Sequence, residues 1–315
     1  MIRLHLAPME GVVDSYTRDL LTSLGGIDQT VTEFIRVTDH TMPDFVFLRE
    51  VPELLNDSRT PAGTPLVVQL LGGDPFRLAE HAMIAVRLGA RGIDLNFGCP
   101  AKTVNRHDGG ASLLAHPDRI RDIVRTVRES VPEHLPVTAK IRLGFSDPSD
   151  CLVNARAVQE GGANAITIHC RTKMDMYKPP AYWEWIPRIK ERIQIPIIAN
   201  GEIFSKENFE ECLRVTECDQ FMIGRGAIID PFVFCKIKGL PHDSSWPATL
   251  ALVRKFFLKT ETGVSPFFAQ ARTKQWLREL AKGEYSLMVK PLFDELKIIT
   301  KPPMFKEALF TACSS

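Results

Sequence analysis

The sequence lacks the features that mark membrane-spanning, secreted and fibrous proteins. No apolar run approaches the roughly 18 residues that a membrane span needs, and the opening MIRLHLAP contains no signal-peptide core. Hydrophobic residues make up 44% and charged residues 24% of the chain, which argues against disorder, collagen and coiled coil. We therefore expect a packed cytoplasmic protein, monomeric and without a membrane partner.

Metal-binding and disulfide patterns are also missing. The seven cysteines form no C-x-x-C pair and no close Cys/His cluster, so we expect no bound metal. An odd number of cysteines in a chain of this size indicates reduced thiols, most of them small buried residues, although one of them can be reactive. The cysteines are Cys99, Cys151, Cys170, Cys212, Cys218, Cys235 and Cys313.

Neither sign of charge is in clear excess. Lys and Arg number 39 and Asp and Glu number 38, a net charge of +1. The distribution is uneven, because residues 241–315 carry a net charge of +4 and residues 1–240 a net charge of −3. A basic tail on a mildly acidic body suggests a polyanionic partner.

Short aliphatic or β-branched runs alternate with longer amphipathic stretches through the first 240 residues. This alternation is typical of βα units and a parallel sheet, and eight runs favour an α/β TIM barrel over a doubly wound open sheet. The predicted strands are Leu4–Ala7, Thr30–Phe34, Leu66–Leu70, Gly92–Asn96, Val137–Ile141, Ala165–His169, Ile195–Ala199 and Gln220–Ile223.

Turn-forming residues cluster between Gly239 and Pro247, and the sequence beyond them shows helical periodicity without a strand-like run. We place the domain boundary here, with a catalytic barrel in residues 1–240 and a small helical bundle in residues 241–315. The predicted helices of the bundle are Ala248–Thr262, Phe267–Ala281, Tyr285–Ile299 and Pro303–Ala312.

Polar residues stand at the carboxyl ends of the predicted strands, where a TIM barrel carries its active site. A single polar residue at the rim can simply make its hydrogen bonds within the protein, but eight converging strand ends favour a functional site. The glycines of Asn200-Gly201-Glu202 and Gly224-Arg225-Gly226 suit a bound phosphate, although they also suit plain tight turns.

Three of these strand-end residues are candidates for chemistry. Lys140 can form a Schiff base, stabilise negative charge on a reduced cofactor, or pair with Glu33 or Asp94. Cys99 follows a strand between a glycine and a proline, which suits a reacting thiol better than a buried filler. His169 can orient a carbonyl group, and a satisfied core histidine is equally compatible with its position.

Five motifs, taken together in their order and spacing, closely resemble the tRNA-dihydrouridine synthases. They are APMEGVVD at 7–14, DLNFGCP at 94–100, KIRLG at 140–144, HCRT at 169–172 and MIGRG at 222–226. The resemblance runs from about residue 3 to about residue 282. Ala199–Glu202 and Ala271–Leu277 look most like the bacterial C subfamily, which acts on uridine 16 of the D-loop.

The resemblance implies an FMN-containing TIM barrel followed by a helical tRNA-binding domain. It implies that NADPH reduces FMN and that the flavin then reduces a uridine to 5,6-dihydrouridine, with Cys99 as the general acid. By the same resemblance, the cofactor-binding residues are Pro8, Met9, Glu10, Gln69, Lys140, His169, Asn200, Gly201, Glu202, Gly224 and Arg225. Two positions depart from many relatives, which have Asp at Glu202 and Thr at Val13.

The chemistry of the residues is consistent with that assignment. Reducing the uracil double bond needs a hydride at one carbon and a proton at the other, and a neutral thiol with an ordinary pKa of roughly 8.5 can supply the proton. The uridine must leave its stack to be reached, so we expect the base to be extruded from the tRNA.

Basic and aromatic side chains near the strand ends and on the second bundle helix are candidates for RNA contacts. Lys274, Arg278 and Lys282 recur at four-residue spacing, which places them on one helical face, although such a stripe is often just a solvated face. The resemblance favours phosphate binding. The candidate tRNA-binding residues are Arg36, Asn96, Arg142, Tyr177, Arg272 and Lys274.

Three other functions remain open at this point. A flavin-dependent reductase of a free pyrimidine, similar to dihydroorotate dehydrogenase, does not need the basic tail. A Schiff-base aldolase needs Lys140 but not the flavin-type strand ends. The hypothesis of a non-catalytic RNA-binding protein assigns no role to Cys99 and Lys140.

Overall fold

The computed structural model describes residues 1–105 and 108–312. These residues form two compact units. The first contains residues 1–15, 27–203 and 207–224, and the second contains residues 16–26, 204–206 and 225–312. The division at residue 240 into a catalytic barrel and a tRNA-binding domain stays a prediction. By their contacts, residues 225–240 belong to the second unit.

The first unit is a closed barrel of parallel strands. The strands are β1 (Arg3–Leu6), β2 (Gln29–Val31), β3 (Ile35–Arg36), β4 (Leu66–Leu71), β5 (Ile93–Asn96), β6 (Val137–Arg142), β7 (Ala165–His169), β8 (Ile197–Asn200) and β9 (Gln220–Ile223). They pair in the order β2-β1-β9-β8-β7-β6-β5-β4-β3, and an additional pairing of β2 with β4 closes the ring. The prediction of a TIM barrel is confirmed, and the open doubly wound sheet is wrong.

Two strands differ from their predicted bounds by more than one residue, each for a local reason. The predicted strand Thr30–Phe34 ends early, as β2 at Val31, because the backbone N–H of Gln69 donates to the Thr32 side-chain Oγ1, at 2.9 Å, instead of to a backbone carbonyl. The short strand β3 follows beyond its predicted end, at Ile35–Arg36. The predicted strand Ile195–Ala199 begins later, at Ile197, since Pro196 has no N–H to give to the ladder.

Helices surround the barrel and continue into the second unit. Proline stands in the first turn of several of them, where its missing N–H costs nothing, and Asp74 caps α3 by accepting the N–H of Arg77 at 2.9 Å. The α-helices are α1 (Ser15–Thr22), α2 (Asp44–Glu50), α3 (Pro75–Arg87), α4 (Lys102–Asn105), α5 (Pro117–Ser130), α6 (Asp150–Glu160), α7 (Trp185–Lys190), α8 (Lys206–Thr216), α9 (Arg225–Ile229), α10 (Val233–Lys238), α11 (Trp246–Gly263), α12 (Pro266–Leu280), α13 (Ser286–Lys297) and α14 (Pro302–Thr311). Pro52–Asn56 and Gly110–Ala115 are 3₁₀ helices.

The barrel strands are buried on both faces, as parallel strands covered by helices must be. Every residue of β4 and β5 is buried, including Gln69, Asp94 and Asn96. Polar side chains in such strands must find partners inside the protein, because an unpaired buried polar group is costly. The strands therefore carry a polar cluster at the place where the sequence predicts the site.

The second unit is helical, and the four predicted helices are confirmed as α11 to α14. Ser245 and Ser265 cap α11 and α12 through their side-chain oxygens. Aromatic residues fill the core, where Phe256 and Trp276 meet edge to face at 5.3 Å between ring centroids. Across the described part of the chain, no helix has both the length and the apolar character needed to cross a membrane.

Candidate active site

Strand register brings the predicted site residues of the first unit side by side. In a closed parallel barrel all strands end at the same rim, so neighbours in register at that rim are neighbours in space. The register pairs are Gln69 with Asp94, Asn96 with Lys140, Arg142 with His169, and His169 with Asn200. Residues from five different strands thus form one continuous arc.

Polar side chains on β4, β5 and β6 form a chain of hydrogen bonds. Thr138 Oγ1 donates to Asp94 Oδ1 at 2.6 Å, and Gln69 Nε2 donates to Asp94 Oδ2 at 2.7 Å. Asn96 Nδ2 in turn donates to Gln69 Oε1 at 2.8 Å. Burial raises the pKa of the Asp94 carboxyl, and these hydrogen bonds and the Lys140 charge oppose that rise.

The loop that carries Cys99 is held by these side chains. Asn96 Oδ1 accepts the backbone N–H groups of Gly98 and Cys99, each at 2.9 Å, and Arg142 Nε donates to the Gly98 carbonyl at 2.8 Å. The Cys99 carbonyl accepts the N–H of Ala111 at 3.0 Å. The prediction that Cys99 sits on a rigid turn rather than in the core agrees with this arrangement.

Cys99 differs from the other cysteines in its surroundings. Within residues 1–105 and 108–312 it is the one half-buried cysteine, and the other five are buried; Cys313 lies outside the described residues. Burial raises the pKa of the Cys99 thiol, which is therefore neutral near pH 7. The positive charges of Arg142 and Lys140 act in the opposite direction and favour its thiolate.

Lys140 lies half-buried beside this loop. Its Nζ donates to Asn200 Oδ1 at 3.1 Å, and Asn200 Nδ2 donates to the Met222 carbonyl at 2.8 Å. Burial and repulsion from Arg142 lower the pKa of Lys140 to about 8, although Asp94 opposes this. In the described part of the chain Lys140 forms no ion pair, since Asp94 is bonded to Gln69 and Thr138 instead.

Arg142 is a positioning residue in this structure. It is only 2% exposed, and besides Gly98 its guanidinium donates to the carbonyls of Thr172 and Met176 at 3.0 and 2.7 Å. It also lies 5.3 Å from the centre of the Tyr177 ring, and that ring is exposed. Its predicted contact with RNA stays a prediction, whereas its contacts with the Cys99 loop are shown.

Arg171 lies in the HCRT motif at the end of β7, and sequence reasoning assigned it no role in the site. It is fully buried, its Nη2 pairs with Glu202 Oε1 at 2.6 Å, and its Nη1 lies 3.2 Å from His169 Nε2. A guanidinium only donates, so His169 Nε2 accepts this bond and the ring proton of the neutral histidine is on Nδ1. A buried charge in a strand end is the signal that could have identified Arg171.

The glycines of the two predicted phosphate turns are closely packed. Gly201 has a φ of +121°, and a Cβ there would lie 3.1 Å from His169 Cδ2. A Cβ on Gly224 would lie 3.2 Å from Met9 Sδ. Both positions therefore favour glycine for steric reasons.

The remaining predicted cofactor contacts are less constrained. Pro8 and Met9 are half-buried and Glu10 is exposed, in the loop that follows β1. Arg225 opens α9 in the second unit, and its guanidinium lies 5.3 Å from the centre of the Phe204 ring. Their roles stay predictions.

The predicted RNA contacts have varied surroundings. Arg36 donates to the Thr103 carbonyl at 3.4 Å and lines a cavity of about 550 Å³. Lys274 Nζ donates to the carbonyls of Lys297 and Ile299 at 3.0 and 2.5 Å, so its ammonium caps the end of α13. Arg272 is half-buried and donates to Gln275.

Lys282 does not continue the predicted stripe on α12. The helix ends at Leu280, two residues before it, and the Lys282 ammonium pairs with Glu279 at 2.6 Å.

The model of the family described as dihydrouridine synthase (Dus) matches residues 5–287. The chain belongs to the dihydrouridine synthase family. It is 50% identical over 297 residues to the tRNA-dihydrouridine(16) synthase of Shewanella oneidensis, with 94% of each chain covered. It is 47% identical over 286 residues to the protein of the same name from Ralstonia nicotianae, with 90% of this chain and 88% of that protein covered.

Two solved structures share the fold of this member of the family. Histamine dehydrogenase from Rhizobium sp. 4-9 aligns with a TM-score of 0.57 at 16% identity, over 75% of this chain and 45% of that one. The 2-naphthoyl-CoA reductase complex aligns with a TM-score of 0.58 at 13% identity, over 77% and 51%. Family membership makes the chain an enzyme, which removes the aldolase and the non-catalytic RNA-binding protein from consideration.

We predict that Gly110→Ala displaces the Cys99 loop. Gly110 has a φ of +62°, and a Cβ there would lie 2.8 Å from the Cys99 carbonyl oxygen, so the loop must move. The rate at which iodoacetamide alkylates Cys99, followed by mass spectrometry, should rise severalfold.

Gly98→Ala is the matched control. Gly98 is adjacent to Cys99, but a Cβ there meets no atom closer than 3.6 Å. An alkylation rate equally raised in both variants, or unchanged in Gly110→Ala, would contradict the prediction.

Proposed function

We propose that this enzyme reduces a tRNA uridine, U16 of the D-loop, to 5,6-dihydrouridine, with FMN as cofactor and NADPH as reductant. The family and the names of the relatives support the reaction class and the position. The structural observation that carries the proposal is a neutral, half-buried Cys99 thiol held at the same barrel rim as Lys140.

The side chains at the rim fit a flavin mononucleotide. The Lys140 ammonium and the Asn200 amide provide donors of the kind that bind the oxygens and nitrogens of a flavin ring. Gln69 is fully buried, and its amide is bonded to Asp94 and Asn96 instead. Asn200, Gly201, Glu202 and Gly224 stand at the carboxyl ends of β8 and β9, and we assign them to the flavin phosphate, which backbone N–H groups at such turns can bind. When bound, the flavin would supply a hydride to one carbon of the uracil 5,6 double bond.

Cys99 would supply the proton for the other carbon. A thiol whose pKa is raised by burial is fully protonated near pH 7, so it can act as a general acid without prior activation. After the transfer, the positive charges of Arg142 and Lys140 stabilise the thiolate until solvent reprotonates it. Hydride and proton together account for both atoms that the product gains.

Asn96 has one donor left for the substrate. Its Oδ1 accepts two backbone N–H groups and one Nδ2 hydrogen goes to Gln69, which leaves the second Nδ2 hydrogen. We assign this hydrogen to a uracil carbonyl. Asn96 would then orient the extruded base against Cys99.

The proposal is tested by single turnover, and we expect Cys99→Ala to separate binding from chemistry. Purified wild-type protein should show a flavin absorption band and release FMN on denaturation. Reduced wild-type enzyme should be reoxidised by unmodified tRNA with formation of dihydrouridine. Cys99→Ala should retain FMN and tRNA binding but be reoxidised more slowly by a factor on the order of 10² to 10⁴, because it lacks the general acid.

Cys218→Ala is the control, since Cys218 is buried beyond the opposite end of β9. It should be reoxidised at the wild-type rate. Loss of flavin from Cys99→Ala would contradict its role as a proton donor alone. Reoxidation by free uridine or orotate as fast as by tRNA would favour the reductase of a free pyrimidine.

We predict that flavin reduction by NADPH slows as the pH rises through about 8. Lys140 has a pKa of about 8, so its ammonium is present below that pH and is lost above it. The proposed role of this charge is to offset negative charge on the reduced ring. Stopped-flow reduction rates between pH 6.5 and 9.5 measure the dependence.

Lys140→Arg should flatten the profile, because a guanidinium stays charged over the whole range. Lys140→Met should weaken flavin binding and slow reduction at every pH. A wild-type profile without a fall near pH 8, together with unchanged flavin content in Lys140→Met, would exclude this role.

We expect Arg272→Ala with Lys274→Ala to weaken tRNA binding and to leave flavin content and slow NADPH oxidation by oxygen unchanged. For duplex-like RNA, removing one side chain that binds a phosphate should reduce the slope of log K against log salt by up to about one. Binding titrations at several salt concentrations measure that slope.

Two controls separate RNA binding from folding. Lys255→Ala removes one positive charge from an exposed position of the same unit and should keep the parent slope. Thermal denaturation of Lys274→Ala alone reports how much its cap on α13 stabilises the protein. If the double variant keeps the parent affinity and slope, these side chains are structural.

A further inference from the structure

Asp94 is a buried carboxylate that the proposed reaction does not use. It is 3% exposed and lies on β5 in register with Gln69 on β4. Both of its oxygens are occupied, by Thr138 at 2.6 Å and by Gln69 at 2.7 Å. Taking a carboxylate out of water is costly, so its presence in a strand that is otherwise closely packed requires a reason.

The hydrogen bonds that lead from Asp94 to Cys99 can run in one direction only. The backbone N–H groups of Gly98 and Cys99 can only donate, so the atom of Asn96 that faces them must be its oxygen. The Asn96 nitrogen then faces Gln69, whose facing atom must also be an oxygen. The Gln69 nitrogen is left to face Asp94, which must accept.

We propose that Asp94 is a positioning residue that fixes the orientation of the Gln69 and Asn96 amides and thereby holds the loop of the proposed proton donor, Cys99. The role of the loop rests on the proposed function. The relay, meaning the series of hydrogen bonds from Asp94 through Gln69 and Asn96 to the Cys99 loop, does not. Without an acceptor at position 94, the Gln69 amide is free to rotate. A rotation that turns its nitrogen toward Asn96 breaks the hydrogen bond between the two amides, and the Asn96 donor is then the one remaining contact of this relay that opposes the rotation.

The relay requires an acceptor at Asp94 Oδ2 but not a charge. A proton on Oδ1 would be donated to Thr138 Oγ1, whose hydroxyl can rotate to accept it, and Oδ2 would still accept from Gln69. An asparagine can do the same, with its nitrogen toward Thr138. This separates the relay from the second effect of Asp94, its electrostatic attraction for Lys140.

Three variants test the relay. Asp94→Asn keeps the acceptor and removes the charge, while Asp94→Leu removes both and keeps the branching of the side chain. Thr138→Val removes the 2.6 Å hydrogen bond to the same carboxylate on the side that does not lead to Cys99. Two readouts are taken on flavin-loaded protein: alkylation of Cys99 by iodoacetamide, and reoxidation of the reduced enzyme by tRNA.

In Asp94→Leu, iodoacetamide should alkylate Cys99 severalfold faster than in the wild type. The reduced variant should be reoxidised by tRNA more slowly by a factor on the order of 10², which is the cost of misplacing a reacting group by about 1 Å. Asp94→Asn and Thr138→Val should stay close to wild type in both readouts. Thermal denaturation measures how much stability Thr138→Val loses, so its two readouts show the effect of lower stability without loss of the relay. If Asp94→Leu does not fold, Gln69→Leu removes the next link and must give the same faster alkylation.

Equal defects in Asp94→Asn and Asp94→Leu would overturn the proposal in favour of the charge, and unchanged alkylation in Asp94→Leu or Gln69→Leu would overturn it outright. If wild-type enzyme is not reoxidised by tRNA, the proposed function fails. The alkylation rates still decide the relay in that case.

Discussion

Closure of the parallel sheet is the constraint on which the site depends. The pairing of β2 with β4 completes the ring, and the strands from β4 to β8 then end at one rim in consecutive register. Gln69 and Asn200 are far apart in the chain, yet the pairings of these consecutive strands connect them. No loop has to move to assemble this arc, because backbone hydrogen bonds of the ladder already hold each residue.

Burial at the rim sets the charge states that the chemistry needs. It keeps the Cys99 thiol neutral and lowers the pKa of Lys140, because the charged form of either group loses hydration. Arg142 adds to the effect on Lys140 by repulsion and, through its bond to the Gly98 carbonyl, holds the loop of Cys99. One buried arginine thus shapes both the electrostatics and the geometry of the site.

The hydrogen bonds from Asp94 to the Cys99 loop determine which way the Gln69 and Asn96 amides face. Amide side chains are symmetric in shape, and packing alone does not distinguish the oxygen from the nitrogen of Gln69 or Asn96. The groups at the two ends of this series of hydrogen bonds distinguish the oxygen from the nitrogen, because the backbone N–H groups of Gly98 and Cys99 donate and the Asp94 carboxylate accepts. A costly buried carboxylate is therefore consistent with a need for specificity rather than stability.

The barrel, the four C-terminal helices and the family could be predicted from the amino-acid sequence alone. Short aliphatic runs and helical periodicity report which segments are buried, and the motifs at strand ends carry the resemblance. The sequence could not show that Thr32 interrupts the second strand, that Arg142 and Lys274 use their charges on backbone carbonyls, or that Asp94 supports Cys99. Each of these depends on contacts between residues distant in the chain, and hydrophobic periodicity reports burial but not which partner satisfies a buried polar group.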